Sequence, residues 1–146
     1  MDAARKEIEA LIPHRRPFLF VDRIISCDKT TITTEKTFAA DLAFYAGHYP
    51  DNPVTPGVIL SEAIFQSGAL LIARTAEKKE IATGVPVLTR ITGAKYKRSV
   101  FPGEQIVITV SLKEKVANVW FLKGVIKKEG KTAVQIEFAC TLAAKS

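Results

Sequence analysis

A histidine in a rigid loop and a carboxylate in an apolar helix are the side chains of this sequence best suited to proton transfer. His48 lies in the segment GHYPDNPVTPGV at 47–58, where three prolines and two glycines restrict the backbone just before a long apolar run. Glu62 lies within that run. A histidine can act as a base near neutral pH, and a desolvated carboxyl group, whose pKa is raised, can act as an acid. The pair therefore indicates acid–base catalysis.

The start of the apolar run offers a third chemical group. Pro56 and Gly57 stand where the first turn of a helix tolerates them. The N–H groups of a first helical turn have no partner inside the helix and lie at the positive end of its dipole. The backbone N–H of Gly57 can therefore bind a carbonyl oxygen on which negative charge develops.

Each of the two side chains also has an ordinary structural explanation. His48, taken alone, would more often be a structural histidine of a loop. Glu62 could be a buried structural carboxylate that is hydrogen-bonded to Gln66, one helical turn further on. This second explanation is the weaker one, because Glu62 is the only charged residue from 56 to 73 and a buried carboxylate is costly.

The pattern of apolar residues predicts the elements that position these groups. A helix is predicted at 56–74, and its residues are apolar almost all the way round, so other elements must cover it. A short amphipathic helix is predicted at 3–12 and strands are predicted at 18–25, 30–38, 106–112, 120–126 and 132–142. Glu129 and Gly130 are the predicted hairpin turn between the last two strands. With no further helix predicted, the class is α+β, a hot-dog fold in which an antiparallel sheet wraps around one long buried helix.

Length and composition predict a single domain over residues 1–146. The 146 residues are 47% hydrophobic and 25% charged, a globular balance that excludes a disordered or fibrous chain. Cys27 and Cys140 are too few and too far apart for a disulfide framework, which favours reduced thiols in the cytoplasm. The stretch 54–73 contains too many polar residues to predict a membrane span. Metal and cofactor motifs are absent, so no cofactor is predicted.

The net charge of +6 favours an acidic partner. Basic residues concentrate in the run Lys95-Tyr96-Lys97-Arg98. The ordinary explanation of such a run is a solvated strand face. Contact with a nucleic acid is another explanation, but no nucleic-acid-binding motif supports it, so no nucleic-acid partner is predicted.

Three segments resemble the (3R)-hydroxyacyl-acyl-carrier-protein dehydratases of bacterial fatty-acid synthesis, of the FabZ type. That family carries G-H-F-P-x-x-P-V-M-P-G-V and then a helix with E-A-x-x-Q, which correspond in this chain to 47–58 and to EAIFQ at 62–66. The other two segments are LIPHRRPFLFVDRI at 11–24 and AKYKRSVFPGEQ at 94–105. A sister dehydratase that also isomerises the double bond has Asp at the position of Glu62, so the resemblance is to the FabZ side.

This resemblance implies an enzyme that removes water from a 3-hydroxyacyl thioester to give a trans-2-enoyl thioester. It implies that His48 is the base, that Glu62 is the acid and that the N–H of Gly57 binds the thioester carbonyl. It also implies a homodimer in which His48 of one chain meets Glu62 of the other, and assemblies of three such dimers are common in the family. No cofactor is implied.

The resemblance also implies a partner, the acidic acyl carrier protein, which would dock on Lys95, Lys97 and Arg98. The acyl chain would run along an apolar face of the long helix, with Ile59 and Phe65 as examples of lining residues.

The sequence departs from the family at Thr55, Ser61, Thr92 and Ser99, where the family usually has Met, an aliphatic residue, Asp and Pro. A dehydratase of a specialised lipid or polyketide pathway therefore stays an alternative. A hot-dog thioesterase is a second, and a non-catalytic subunit that binds an acyl carrier is a third. The intact His48 and Glu62 disfavour the non-catalytic subunit, and the histidine–proline–glycine segment disfavours the thioesterase.

Overall fold

The fold is one antiparallel sheet that curls around a long helix. The computed structural model describes residues 2–144, and for residues 81–83 only the secondary structure. In chain order the elements are α1 (Ala3–Leu11), β1 (Arg23–Cys27), β2 (Thr31–Thr37), α2 (Ala43–Gly47), α3 (Gly57–Thr75), α4 (Lys78–Thr83), β3 (Gly84–Tyr96), β4 (Gln105–Val116), β5 (Val119–Lys128) and β6 (Lys131–Ala144). The strand order in the sheet is β1-β2-β4-β5-β6-β3.

Helix α3 forms the centre of the core and packs against strands β2 to β6. Alternate residues of the strands face it, as the burial of Ile106, Ile108 and Val110 along β4 shows. Gly124 on β5 is a point of close approach, because a Cβ at this position would clash with Ile64 of α3. The helix is long and apolar enough to cross a membrane, but most of it is buried inside the protein, as in the core helix of a globular fold.

The predicted sheet, buried helix and final hairpin are confirmed. Helix α3 begins one residue after the predicted start and ends one residue after the predicted end. Strands β5 and β6 pair up to Lys128 and Lys131, which leaves Glu129 and Gly130 as a two-residue turn. Both turn residues have positive φ angles, of 50° and 77°, as the tight hairpin turn requires.

Three predictions of secondary structure were wrong or incomplete. The strand predicted at 18–25 begins only at Arg23, and the buried residues 19–21 before it are not in a strand. Apolar content cannot distinguish a buried loop from a buried strand. The statement that no further helix exists was wrong, since α2 and α4 are helical. Strand β3 was missed as an element because its exposed residues 88–96 do not alternate between apolar and polar.

Candidate active site

The imidazole of His48 is fixed by one hydrogen bond that determines which nitrogen is basic. His48 follows the last residue of α2, and its Nδ1 lies 2.9 Å from the carbonyl oxygen of Val54. A carbonyl oxygen only accepts hydrogen bonds, so in the neutral ring Nδ1 carries the proton and Nε2 has the lone pair. The ring also packs edge-on against Tyr49, with the ring centroids 4.8 Å apart. His48 therefore presents Nε2 as a base.

The loop between His48 and α3 is held by two bonds at Thr55. The backbone N–H of Thr55 donates to the carbonyl of Val100 at 2.8 Å. The Thr55 hydroxyl is 2.7 Å from the hydroxyl of Tyr45, and both residues are buried. Methionine, the usual residue of the resembling family at position 55, could not make this second bond. The threonine that replaces the family's methionine at position 55 therefore gains a hydrogen bond to Tyr45, and this bond holds the loop in place.

Helix α3 begins beside His48, and Tyr96 lies across its first turn. A Cβ at Gly57 would lie 3.1 Å from the Tyr96 ring, so the ring fits closely because position 57 is glycine. The Ser61 hydroxyl donates to the carbonyl of Gly57 at 3.0 Å and is hydrogen-bonded to the Tyr96 hydroxyl. His48, Gly57 and Tyr96 line a cavity of about 260 Å³, which we call the histidine cavity.

Glu62 lines a different cavity, of about 220 Å³, which we call the glutamate cavity. Its lining residues are His14, Glu62, Phe65, Ala69, Pro86, Val87, Leu88 and Cys140. The side chain of Glu62 is 23% exposed. Burial raises the pKa of the Glu62 carboxyl above its usual value, and the hydrogen bond from Gln66 opposes that rise. A carboxyl group in this setting can hold a proton closer to neutral pH than an exposed one can.

Gln66 orients the carboxylate from a fixed position. The backbone N–H of Phe20 donates to Gln66 Oε1 at 2.8 Å, so the amide has only its NH₂ group to offer elsewhere. That group donates to the carbonyl of Phe18 at 2.8 Å and to Glu62 Oε2 at 3.0 Å. Gln66 itself is fully buried. The Glu62–Gln66 bond that the sequence allowed is therefore present, and the loop before β1 fixes its direction.

Two further residues next to Glu62 were not anticipated as part of a site. His14 lies in the loop after α1, and its Nε2 is 3.7 Å from Glu62 Oε2. Cys140 is buried on β6, and burial together with the nearby Glu62 charge raises the pKa of its thiol to about 12. The bounded segment from Pro13 to Pro17 was visible in the sequence, but nothing in its spacing pointed to a carboxylate 48 residues away.

The structure brings together some of the predicted site residues and separates others. Lys97 and Arg98 line the histidine cavity together with His48 and Gly57. Lys95, although exposed, lines a separate depression with Lys123 and Glu137. Phe65 lines the glutamate cavity, whereas Ile59 lines neither cavity.

His48 and Glu62 line different cavities of the same chain. Each cavity thus holds one half of the predicted acid–base pair.

A larger cavity, of about 530 Å³, lies at the far end of α3. Arg74 and Thr75, which end the helix, line it together with Trp120 and the ion pair between Lys115 and Glu80, whose atoms are 2.7 Å apart. Its charges are of both signs, and it contains none of the predicted catalytic residues. The predicted base and acid, His48 and Glu62, line the histidine cavity and the glutamate cavity instead.

Comparison with known sequences gives one consistent result. The sequence profile of the FabA-like domain family matches residues 12–137. Over 137 residues the chain is 35% identical to the 3-hydroxyacyl-[acyl-carrier-protein] dehydratase FabZ of Burkholderia thailandensis, covering 93% of this chain and 86% of the relative. The FabZ of Burkholderia mallei is 34% identical, with coverage of 93% and 88%.

Solved structures support the fold. The dehydratase heterocomplex ApeI:P of Xenorhabdus doucetiae matches with a TM-score of 0.78 at 15% identity, covering 94% of this chain and 91% of that one. The E. coli PaaI protein matches with a TM-score of 0.67 at 15% identity, with coverage of 94% and 92%. At this identity the likeness extends to the fold alone.

Proposed function

This chain belongs to the FabA-like domain family, and from that premise we propose how its residues act. The protein is a hydro-lyase that dehydrates 3-hydroxyacyl chains on acyl carrier protein in fatty-acid biosynthesis. We assign the base to His48, the acid to Glu62 and the carbonyl-binding group to the N–H of Gly57. The observation that carries this assignment is the bond from His48 Nδ1 to the Val54 carbonyl, because it leaves Nε2 free to accept a proton beside the start of α3.

The elimination needs three groups acting on one substrate. His48 Nε2 removes the proton next to the thioester carbonyl as the carbon–carbon double bond forms. Negative charge that develops on the thioester oxygen is stabilised by the N–H of Gly57 at the positive end of α3. The carbon–oxygen bond breaks as Glu62 gives its proton to the leaving hydroxyl, which departs as water. His48 ends protonated and Glu62 ends ionised, and a proton passing between them restores both.

We propose that two chains complete each site. In favour of this, His48 and Glu62 line different cavities of one chain. Strand β3 lies at the edge of the sheet and exposes Leu88 and Ile91, which are 41% and 51% accessible. A long edge strand with exposed apolar residues is a natural surface for pairing with a second chain. The proposed assembly is a homodimer, with His48 of one chain facing Glu62 of the other.

The acyl carrier protein is proposed to dock beside the histidine cavity. Lys97 and Arg98 are exposed there next to His48, so they can attract an acidic carrier and its phosphate-linked arm. Lys95 lies in another depression and contributes only to the long-range attraction. The carrier is a soluble partner, and we propose a cytoplasmic location for the reaction.

The proposed acid and base are tested by product analysis. Purified protein is incubated with 3-hydroxyacyl carrier thioesters of several lengths, and mass spectrometry resolves the enoyl thioester from the free acid. The enoyl product is expected, and His48→Ala and Glu62→Gln should each lower turnover by at least about a hundredfold, the scale of a positioned proton-transfer group. Free acid as the main product would support a thioesterase instead. A Glu62→Gln variant with normal turnover would refute the assignment of the acid.

The docking surface is tested by charge reversal. Lys97→Glu with Arg98→Glu should raise the apparent KM for a carrier-bound substrate several-fold and leave turnover of a small thioester mimic unchanged. High salt should have the same effect on the unmodified protein, because exposed charges are screened. The matched control reverses Lys6 and Lys79, which are exposed and do not line the histidine cavity. Equal effects on both substrates would contradict docking at this surface.

A further inference from the structure

The imidazole of His14 lies against Glu62, but at a distance too long for a hydrogen bond. Its Nε2 is 3.7 Å from Glu62 Oε2, beyond the roughly 2.7–3.2 Å of a hydrogen bond. Its Nδ1 is buried and has no hydrogen-bond partner among the described residues. Both residues line the glutamate cavity. Buried polar nitrogens are normally paired, so this arrangement beside the proposed acid needs a physical reason.

The position of the ring proton follows from the surroundings of the two nitrogens. Burial, and then the nearby Arg15 charge, lower the pKa of His14, so the ring is neutral at pH 7 and carries one proton. A proton on Nδ1 would be a buried N–H without an acceptor, the costlier kind of unpaired group. A proton on Nε2 leaves Nδ1 with only an unused lone pair. The Nε2–H group is then on the side of the ring that approaches Glu62.

The loop that carries His14 is held by hydrogen bonds in which Glu62 takes no part. The guanidinium of Arg15 donates to the carbonyl of Ile12 at 2.9 Å and to that of His14 at 2.7 Å. On the other side of the loop, the buried amide of Gln66 binds the backbone N–H of Phe20. The imidazole is thus presented to the carboxylate by the backbone around it.

We propose that His14 is a positioning residue that donates a hydrogen bond from Nε2 to Glu62 as Glu62 gives up its proton to the leaving hydroxyl. This inference rests on the proposed function, in which Glu62 is the acid. The new negative charge draws the two atoms from 3.7 Å to about 2.9 Å, the length of a charge-assisted hydrogen bond. Gln66 donates to the same oxygen.

The stabilised carboxylate makes Glu62 a stronger acid than burial alone would allow. The other titratable group that lines the glutamate cavity is Cys140 on β6. With a pKa of about 12 it is a neutral thiol near pH 7, so it adds no charge to the cavity at that pH. Burial, and then the charge of Arg15 on the same loop, lower the pKa of His14 and so favour its neutral ring.

Three substitutions of His14 separate the hydrogen bond from the bulk of the ring. His14→Phe keeps the ring without the donor, His14→Asn has a donor that is too short to reach Glu62, and His14→Gln carries an amide about as far out as Nε2. In the Phe and Asn variants we expect kcat to fall by about tenfold with KM almost unchanged, as for the loss of one charge-assisted hydrogen bond. The alkaline limb of the pH profile should move up by about one unit, since the carboxylate is less stable and its pKa rises. His14→Gln should restore both.

A second readout does not depend on turnover. The infrared carboxyl band of Glu62, identified by subtracting the Glu62→Gln spectrum, gives its titration midpoint directly. That midpoint should rise in the Phe and Asn variants and stay in place in the Gln variant. If His14→Phe fails to fold, as judged by thermal melting, the comparison of His14→Asn with His14→Gln tests the role of His14 on its own.

An unchanged infrared midpoint in the Asn variant, or equal losses in the Asn and Gln variants, would overturn the role of His14. These outcomes leave the proposed function intact as long as Glu62→Gln is inactive. Full turnover by Glu62→Gln would instead refute the assignment of Glu62 as the acid, on which the role of His14 rests.

Discussion

Replacing Gln66 with leucine tests whether one buried amide supports both the fold and the acid. Leucine has a similar volume and cannot make any of the three hydrogen bonds of the glutamine. The N–H of Phe20, a buried residue, would lose its acceptor. The carbonyl of Phe18 belongs to a residue that is 51% exposed, so water can replace part of its lost bond. Glu62 would lose a donor to Oε2 at 3.0 Å.

The loss of these hydrogen bonds should affect both the stability of the protein and the pKa of Glu62. One orphaned buried donor and one partly solvated acceptor cost about 2 to 3 kcal/mol of the free energy of unfolding. For a domain of this size that corresponds to a fall in melting temperature of about 4 to 12 °C. The hydrogen bond from Gln66 lowers the pKa of Glu62, so its removal should raise that pKa. If Glu62 is the acid, as proposed, activity needs its protonated form, and the alkaline limb of kcat against pH therefore moves to higher pH.

The assay combines thermal melting with kcat measured across pH, and Ser67→Ala is the matched control. Ser67 is also fully buried on α3, but its hydrogen bonds go to the Thr34 hydroxyl and the Ala63 carbonyl rather than to Glu62. The control should lose some stability and keep its pH profile. A Gln66→Leu variant that melts like the parent protein, or whose alkaline limb does not move, would refute the reasoning.

Two further predictions concern the packing of the core and the reactivity of the thiols. Gly124→Ala should lower the free energy of unfolding by about 1 to 3 kcal/mol in chemical denaturation, because the new methyl group clashes with Ile64. The control, Gly47→Ala, has open space around it and should lose less stability, so equal losses in the two variants would contradict this prediction. A thiol reagent at pH 8 should label half-buried Cys27 before Cys140, because burial and a pKa of about 12 keep the Cys140 thiolate rare. Peptide mass spectrometry measures the order of labelling, and labelling of Cys140 first would be evidence against its burial.

The sequence was sufficient for the architecture wherever apolar periodicity was strong. Helix α3 was predicted to within one residue at each end, because Pro56 and Gly57 mark its start and the apolar run continues from there to Arg74 without a proline. Strand β3 was not predicted, because an exposed edge strand has no buried face to impose alternation. The short helices α2 and α4 lack the length over which a helical period can be recognised.

The candidate site was predictable by residue type but not by geometry. His48 and Glu62 were identified by their chemistry and their place relative to the helix start. Their spacing could not show that they line different cavities, since that depends on which face of α3 each cavity occupies. The contact of His14 with Glu62 joins residues far apart in the chain and needs the folded loop to exist.

Complementation between two inactive variants tests the central claim most directly. His48→Ala and Glu62→Gln chains, each with a different tag, are co-expressed, and the species that carries both tags is purified and confirmed by native mass spectrometry. If His48 of one chain works with Glu62 of the other, each mixed dimer has one intact site and should recover about half of the turnover of the parent dimer. A confirmed mixed dimer with no more activity than either variant alone would contradict a site shared between two chains.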